Sequence, residues 1–106
     1  MAEVTLTVLY PHPVDVEKFD ADYRAHLQLL HRKTNMPEEN PPYNVTRFLP
    51  TPAGKPAFYQ MFTMPFPSAE ALQQAMASPH MQEVAADAER ISTGGPPIVL
   101  IGTTKD

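Results

Sequence analysis

The stretch "YNVTRFLPTPAGKPAFYQMFTMPF", residues 43–66, decides the fold of this chain. Its two ends, residues 43–49 and 57–66, are rich in the β-branched and aromatic residues that favour strands. The segment between them, "PTPAGKP", is a turn region in which Gly54 is free to adopt a positive φ. Because a short connection favours antiparallel pairing, the stretch predicts two neighbouring antiparallel strands.

The residues before this pair predict a strand and then a helix. "VTLTVLY", residues 4–10, alternates between the two faces of a strand. Asp15 is suited to cap a helix that we expect from about Val16 to Arg32. "TNMPEENPPY", residues 34–43, is then expected to form a loop that leads into the strand pair.

The residues after the pair predict a helix in two pieces and a last strand. Ser68 is suited to cap a helix that ends near Ser78, and Ser78 with Pro79 begins another helical segment. "STGGPP", residues 92–97, breaks the chain before "IVLIG", residues 98–102. The last strand is apolar at four successive positions, which suits a strand covered on both faces.

The predicted order is βαββαβ, which is the ferredoxin-like order of the α+β class, with both helices on one face of a four-stranded antiparallel sheet. The length of 106 residues fits a single domain over residues 1–106. Helices cover only one face, so the two-sided apolar strand needs another cover. A second subunit is the simplest one, and we expect a homodimer.

Composition excludes several classes of protein. The net charge of −4 and the scattered basic residues argue against a nucleic-acid partner. The absence of cysteine excludes disulfides and thiolate chemistry, and it suits a cytoplasmic protein. No apolar run approaches the length of a membrane span, so we expect no membrane partner.

A histidine lies within the apolar stripe of the first helix, "FDADYRAHLQLL", residues 19–30. At 100° a residue, His26 falls in an arc of about 100° with Phe19, Tyr23 and Leu30. Two interpretations are open: a histidine at the core edge that donates one hydrogen bond to the backbone, or a ring that faces a cavity between helix and sheet. Nothing in the helix itself decides between them.

The sequence offers no pattern for a metal or a cofactor. His31 lies about 140° around the helix from His26, so the two cannot bind one metal from a single helix. There is no HExxH spacing and no phosphate loop. We therefore expect no metal and no cofactor.

Weaker candidates for ligand contacts lie on the strands. Tyr59, Met61 and Thr63 are expected to share one strand face, where they either line a pocket or fill a subunit interface. Arg47 either meets an anionic group of a substrate or extends to solvent.

Several stretches together resemble the EthD family of the dimeric α/β-barrel superfamily. They are "LTVLYPHP", "FDADYRAHLQLL", "YNVTRFLPTPAG", "FYQMFTMPFPSAEALQQAMASP" and "ISTGG", which cover nearly the whole chain. The resemblance implies that two ferredoxin-like subunits pack sheet to sheet. It also implies a cavity between the first helix and the sheet, with His26 facing it.

The resemblance favours a catabolic protein that binds a small, mostly apolar oxygenated compound. In the first hypothesis it is a cofactor-independent enzyme with monooxygenase-like, oxidoreductase or isomerase-like chemistry, in which His26 moves a proton and Tyr23 or Tyr59 orients the substrate oxygen. In the second it is a non-catalytic accessory protein that carries a hydrophobic intermediate for a partner oxygenase.

Overall fold

The computed structural model describes residues 3–36, 39 and 41–103, and these form a four-stranded sheet with three helices on one side. The elements in chain order are β1 (Val4–Tyr10), α1 (Val16–Thr34), β2 (Asn44–Arg47), β3 (Gln60–Phe66), α2 (Ala69–Ala77), α3 (Pro79–Ile91) and β4 (Ile98–Thr103). All strand pairs are antiparallel, and the strand order is β2-β3-β1-β4. The ferredoxin-like α+β fold predicted from the sequence is confirmed. The predicted loop at residues 34–43 lies partly outside the described residues.

The helices begin at the caps that the sequence predicts. The side chain of Asp15 accepts a hydrogen bond from the backbone N–H of Lys18 at the start of α1. At the start of α2, the side chain of Ser68 accepts one from the backbone N–H of Ala71. Ser78 ends α2 and caps α3, with Pro79 in the first turn of α3. Among the described residues, no helix is both long and apolar enough to cross a membrane.

The strands β2 and β3 are shorter than predicted, because the segment between them is a looser connection. It contains Pro50, Pro52 and Pro56, which cannot donate to a ladder. A tight turn closes between Thr51 and Gly54, and Gly54 has the expected positive φ of 122°. Regular pairing of β3 therefore starts only at Gln60.

The two faces of the sheet differ in their cover. On the helix side, the strand register aligns Leu6 with Met64, Val8 with Phe62 and Tyr10 with Gln60. This face forms the core against the helices, together with buried residues such as Phe19, Leu30, Leu72, Val84 and Ile91. The opposite face, which we call the outer face, carries Thr7, Leu9, Met61, Thr63 and Leu100.

Strand β4 is exposed and no helix among the described residues covers it, contrary to the two-sided burial that its sequence suggests. It is an edge strand, and Ile98, Val99, Leu100 and Ile101 are 42–55% exposed. The helices pack over the middle of the sheet and leave this edge open. A continuous apolar strand on the surface is typical of sites of protein–protein contact.

Candidate functional site

His26 forms a hydrogen-bonded pair with a carboxylate from the last helix. It lies on the inner face of α1 and is 5% exposed. Its Nδ1 lies 2.9 Å from Oδ2 of Asp87 on α3. The partner is thus a carboxylate and not the backbone. Because an ionised carboxylate only accepts hydrogen bonds, Nδ1 carries the proton and Nε2 carries the lone pair.

The charge state of this pair follows from its surroundings. Burial, the largest influence, lowers the pKa of His26 below its ordinary 6.5, and the hydrogen bond to Asp87 offsets only part of this. Burial alone would raise the pKa of Asp87, but the hydrogen bonds from His26 and Arg90 outweigh it and lower that pKa. The guanidinium of Arg90 donates to Oδ1 of Asp87 from Nε and a terminal nitrogen at 2.9 and 2.8 Å. Near neutral pH the pair is therefore a neutral imidazole on a carboxylate.

His26 also lies on the wall of an apolar cavity of about 180 Å³. The cavity lies between α1, α3 and the helix side of the sheet, and α3 contributes more of its wall than α1 does. Apolar side chains dominate the wall, among them Leu6, Val8, Phe62, Val84 and Ala88. Among the described residues no partner donates to Nε2 of His26. The site thus combines an apolar volume with one unpaired basic nitrogen.

Two tyrosines flank the histidine. The ring of Tyr23 lies 5.6 Å from that of His26, and Tyr10 meets Tyr23 edge-on at 5.5 Å. Tyr10 lines the cavity, whereas Tyr23 lies behind it. Burial is the main cause that raises the pKa of both hydroxyls, so both stay neutral.

Two buried polar atoms are unpaired beside this cluster, the hydroxyl of Tyr23 and Nε2 of Gln60. The amide of Gln60 lies close enough to offset part of the rise in the Tyr23 pKa. The two atoms nevertheless fall outside hydrogen-bond geometry, so neither satisfies the other.

Arg47 and Tyr59 belong to a separate polar network near the start of α1. The guanidinium of Arg47 donates to both carboxylate oxygens of Asp20, at 2.6 and 3.3 Å, and to Oε1 of Gln60 at 3.0 Å. The hydroxyl of Tyr59 donates to Asp20, and Arg47 lies over the Tyr59 ring at 4.5 Å. Neither side chain lines the cavity. Since the charge of Arg47 is already paired, it does not face the cavity as a free cation.

The structure does not bring Met61 and Thr63 to His26. Both lie on the outer face, where they align with Leu9 and Thr7 of β1. The prediction that Tyr59 shares this face is wrong, because its ring packs against Phe19 of α1. The strand alternation starts at Gln60 and does not reach Tyr59.

His31, the other histidine of α1, points away from the cavity as predicted, and it holds the chain that follows the helix. Its Nδ1 donates to the backbone oxygen of Met36 at 3.0 Å. Its Nε2 accepts from the hydroxyl of Tyr43 at 2.7 Å. Both ring nitrogens are thus used in structure. In the part of the chain that the structure describes, no three His, Asp or Glu side chains are grouped as metal ligands would be.

Comparison with known proteins gives the family. The EthD domain matches residues 11–94 of this sequence. The chain belongs to the EthD family. No curated protein sequence matches this EthD chain. An EthD family protein from Bacillus halodurans is 30% identical to it, with a TM-score of 0.81, over 99% of this chain and 100% of the other.

More distant structures share the fold of this EthD protein. A dimeric ferredoxin-like protein of unknown function from Thermobifida fusca is 10% identical, with a TM-score of 0.67, over 97% of this chain and 92% of the other. The hydroxynitrile lyase of Passiflora edulis is 17% identical, with a TM-score of 0.69, over 98% and 94%. At these identities the likeness concerns the fold alone.

Sequence reasoning missed two residues of this EthD site, Asp87 and Tyr10. Asp87 follows Val84 by three positions on α3, so helical spacing puts it at the border of the buried stripe. A carboxylate at such a border is a signal for a buried partner. Strand alternation puts Tyr10 on one face with Val4, Leu6 and Val8, but nothing in β1 indicates a histidine of α1 on that side.

Proposed function

We propose that this protein binds a small, mostly apolar, oxygenated organic compound in the cavity beside His26 and transforms it by acid–base chemistry. The observation that carries this proposal is His26 in the wall of an apolar cavity, with Nδ1 held by Asp87 at 2.9 Å and no partner for Nε2 among the described residues. We infer that a neutral imidazole in this tautomer offers Nε2 as a base to a ligand in the cavity. The carboxylate behind it stabilises the imidazolium that forms when the base takes a proton.

The volume of the cavity limits the ligand. An apolar cavity of about 150 Å³ is known to hold benzene. The cavity of about 180 Å³ therefore fits a molecule of that size with one or two more heavy atoms. Its wall supplies apolar contacts over most of the ligand surface, as ligand pockets commonly do.

The reaction that this base supports begins with removal of a proton from the ligand by Nε2. An isomerase would return that proton to another atom of the same molecule. In a monooxygenase-like oxidoreductase without a cofactor, the deprotonated ligand would itself supply the electrons to dioxygen, with one oxygen atom entering the ligand and the other leaving as water. In both, Tyr23 packs beside the base and fixes its ring, while Arg47 and Tyr59 hold the start of α1 through Asp20.

The assembly in this proposal is a homodimer. The apolar β4 and the outer face, with Leu9, Met61 and Thr63, are uncovered within the chain. A structural neighbour of the same fold is described as dimeric, which supports the idea. Sheet-to-sheet packing would bury these side chains and bring Met61 and Thr63 into an interface.

The test is a binding and turnover screen on the purified protein with small apolar alcohols, phenols, ketones and ethers. His26→Gln should leave folding intact and lower turnover by about 100-fold or more, the scale of a lost general base. His31→Gln is the matched control on the same helix. It should weaken the packing after α1 but leave turnover per folded molecule unchanged.

Two results would count against catalysis by His26. Ligand binding without turnover at any pH would favour the carrier, which needs no titrating group. A loss of several kcal/mol of stability in His26→Gln, with unchanged activity per folded molecule, would make the histidine a structural residue.

A further inference from the structure

Tyr10 places a second polar group at the wall of the cavity. It ends β1 and is 2% exposed, and its ring is fixed edge-on by Phe19 and Tyr23 at 5.5 Å each. Among the described residues nothing forms a hydrogen bond with its hydroxyl. After burial, the charge of Asp87 is the second cause that raises the Tyr10 pKa. Tyr10 and His26 both line the cavity, and each of their rings lies beside that of Tyr23, at 5.5 and 5.6 Å.

The cavity offers no counter-charge to an anion. No lysine or arginine is among the described residues that line it, and Glu89 is the one fully charged side chain there. The guanidinium of Arg90 is bound to Asp87 and is exposed. A carboxylate ligand would meet the negative charges of Glu89 and Asp87 without a cation to pair with, so the site disfavours anions.

His26 and Tyr10 differ in the hydrogen bond that each can form with a ligand. Nε2 of His26 only accepts a hydrogen bond, because Asp87 holds the proton on Nδ1. The neutral hydroxyl of Tyr10 is free to donate one. A single hydroxyl on the ligand satisfies both, since it donates its own hydrogen and accepts another. An ether or a carbonyl oxygen only accepts, and it would leave Nε2 buried without a partner.

We propose that the cavity selects an uncharged alcohol or phenol, whose O–H donates to Nε2 of His26 and whose oxygen accepts from the hydroxyl of Tyr10. This inference rests on the proposed function, because it names the class of compound bound at the same site. It makes a hydroxyl compound, and not an ether or an acid, the substrate on which the base acts. The proton that His26 removes is then the hydroxyl proton.

The test compares four probes by titration of the purified protein at pH 7.5. A cresol and anisole are isomers that differ in whether the oxygen carries a hydrogen. Toluene supplies the apolar contacts alone, and benzoate supplies an anion. We expect the cresol to bind at least about tenfold more tightly than anisole, which corresponds to about 1.4 kcal/mol. Benzoate should bind most weakly.

Two variants test the contribution of the Tyr10 hydroxyl to ligand preference. Tyr10→Phe removes only the unpaired hydroxyl, so it should lose the preference for the cresol over anisole while toluene binds as before. Tyr59→Phe is the control, because its hydroxyl donates to Asp20 outside the cavity, and the preference should remain. Unchanged toluene binding in Tyr10→Phe shows that the cavity is intact.

The failures are distinguishable. Equal binding of the cresol and anisole, or tightest binding of benzoate, would overturn the selection of a hydroxyl and leave the proposed cavity function standing. A cresol preference that survives in Tyr10→Phe would overturn the role of Tyr10. Absence of binding by all four probes would overturn the proposed function and this inference with it.

Discussion

Asp87 and His26 lie 61 positions apart in the chain and meet across the packed faces of α3 and α1, with Oδ2 2.9 Å from Nδ1. The contact depends on the packing of two helices from opposite halves of the fold. Arg90, one turn further along α3, fixes the other carboxylate oxygen. The orientation of the imidazole is therefore set by the fold, and the tautomer by the charge of Asp87.

Replacing Asp87 by Asn should change the pKa and the tautomer of His26 more than it changes the fold. The carboxylate raises the pKa of His26 against the effect of burial, so Asp87→Asn should lower that pKa further. An amide both donates and accepts, so the proton would no longer be confined to Nδ1. Turnover should fall by about 100-fold or more. NMR titration of the ring, with nitrogen shifts that report the tautomer, measures both effects.

The matched control for this substitution is Glu83→Gln on the same helix, whose carboxylate pairs with Lys33 and does not line the cavity. It should leave the pKa and the tautomer of the histidine unchanged. A pKa of His26 that is the same in Asp87→Asn and in the wild type would refute the role given to the carboxylate.

The elements of the fold could be predicted because their signals are local. Asp15, Ser68 and Ser78 each cap the helix that follows, and each cap depends on residues three positions apart. The inward position of His26 follows from helical periodicity alone. Predicting these features requires no knowledge of the residues that pack on the opposite side of the core.

The partners of the site could not be predicted, because they depend on long-range packing. The position of Asp87 at the border of the buried stripe indicates a buried partner, but nothing in either helix identifies that partner as His26. Tyr59 was placed on the wrong face because period-two alternation was extended beyond Gln60, where regular pairing begins. The outward position of Met61 and Thr63 does follow from alternation, but separating them from the cavity required knowledge of which face the helices cover.

The stability of the protein should depend on pH through His26. In the folded state its pKa is lowered below 6.5, so the unfolded chain binds more protons as the pH falls through that value. As the pH falls, the free energy of unfolding should therefore decrease between about pH 6.5 and the lowered pKa of His26. Below that pKa, His26 should cause no further decrease. Asp87 and Tyr23 contact the ring, and Arg90 pairs with Asp87. The lowered pKa of Asp87 should cause a further decrease in the free energy of unfolding below about pH 3.8.

Denaturant unfolding at a series of pH values measures this dependence. In His26→Gln the decline below pH 6.5 should be smaller, because the titrating group is gone while the other histidines remain. Parallel curves for the wild type and His26→Gln would contradict the lowered pKa. Turnover should follow the same group, with activity lost at acidic pH as Nε2 becomes protonated.

Gly94 should be intolerant of any side chain, because the chain before β4 passes against the loop that leads into α1. A Cβ on Gly94 would lie 1.8 Å from the backbone oxygen of His12. The approach is held nearby by Val14, whose N–H donates to the hydroxyl of Thr93. Gly94→Ala should lower the free energy of unfolding by about 2 kcal/mol or more, since backbone must move to make room.

Chemical denaturation measures this effect, and Ala21→Ser on the exposed side of α1 is the control. A surface substitution of this kind should change the free energy of unfolding by less than about 0.5 kcal/mol. Equal stability of Gly94→Ala and the wild type would show that the two loops do not lie as close as the structure has them.

The last prediction concerns the uncovered sheet. We expect the wild type to be a dimer at micromolar concentration in light scattering, with an interface of roughly 2,000 Å² or more through the outer face and β4. Leu100 is 51% exposed and aligns with Thr7 on that face. Leu100→Lys should give a folded monomer, because a lysine would be buried without a partner in the dimer yet solvated in the monomer.

Val14→Lys, at a side chain 84% exposed and away from the sheet, should remain dimeric. A monomeric wild type would remove the cover proposed for β4, and dissociation of both variants would show that added charge alone, and not the outer face, controls assembly.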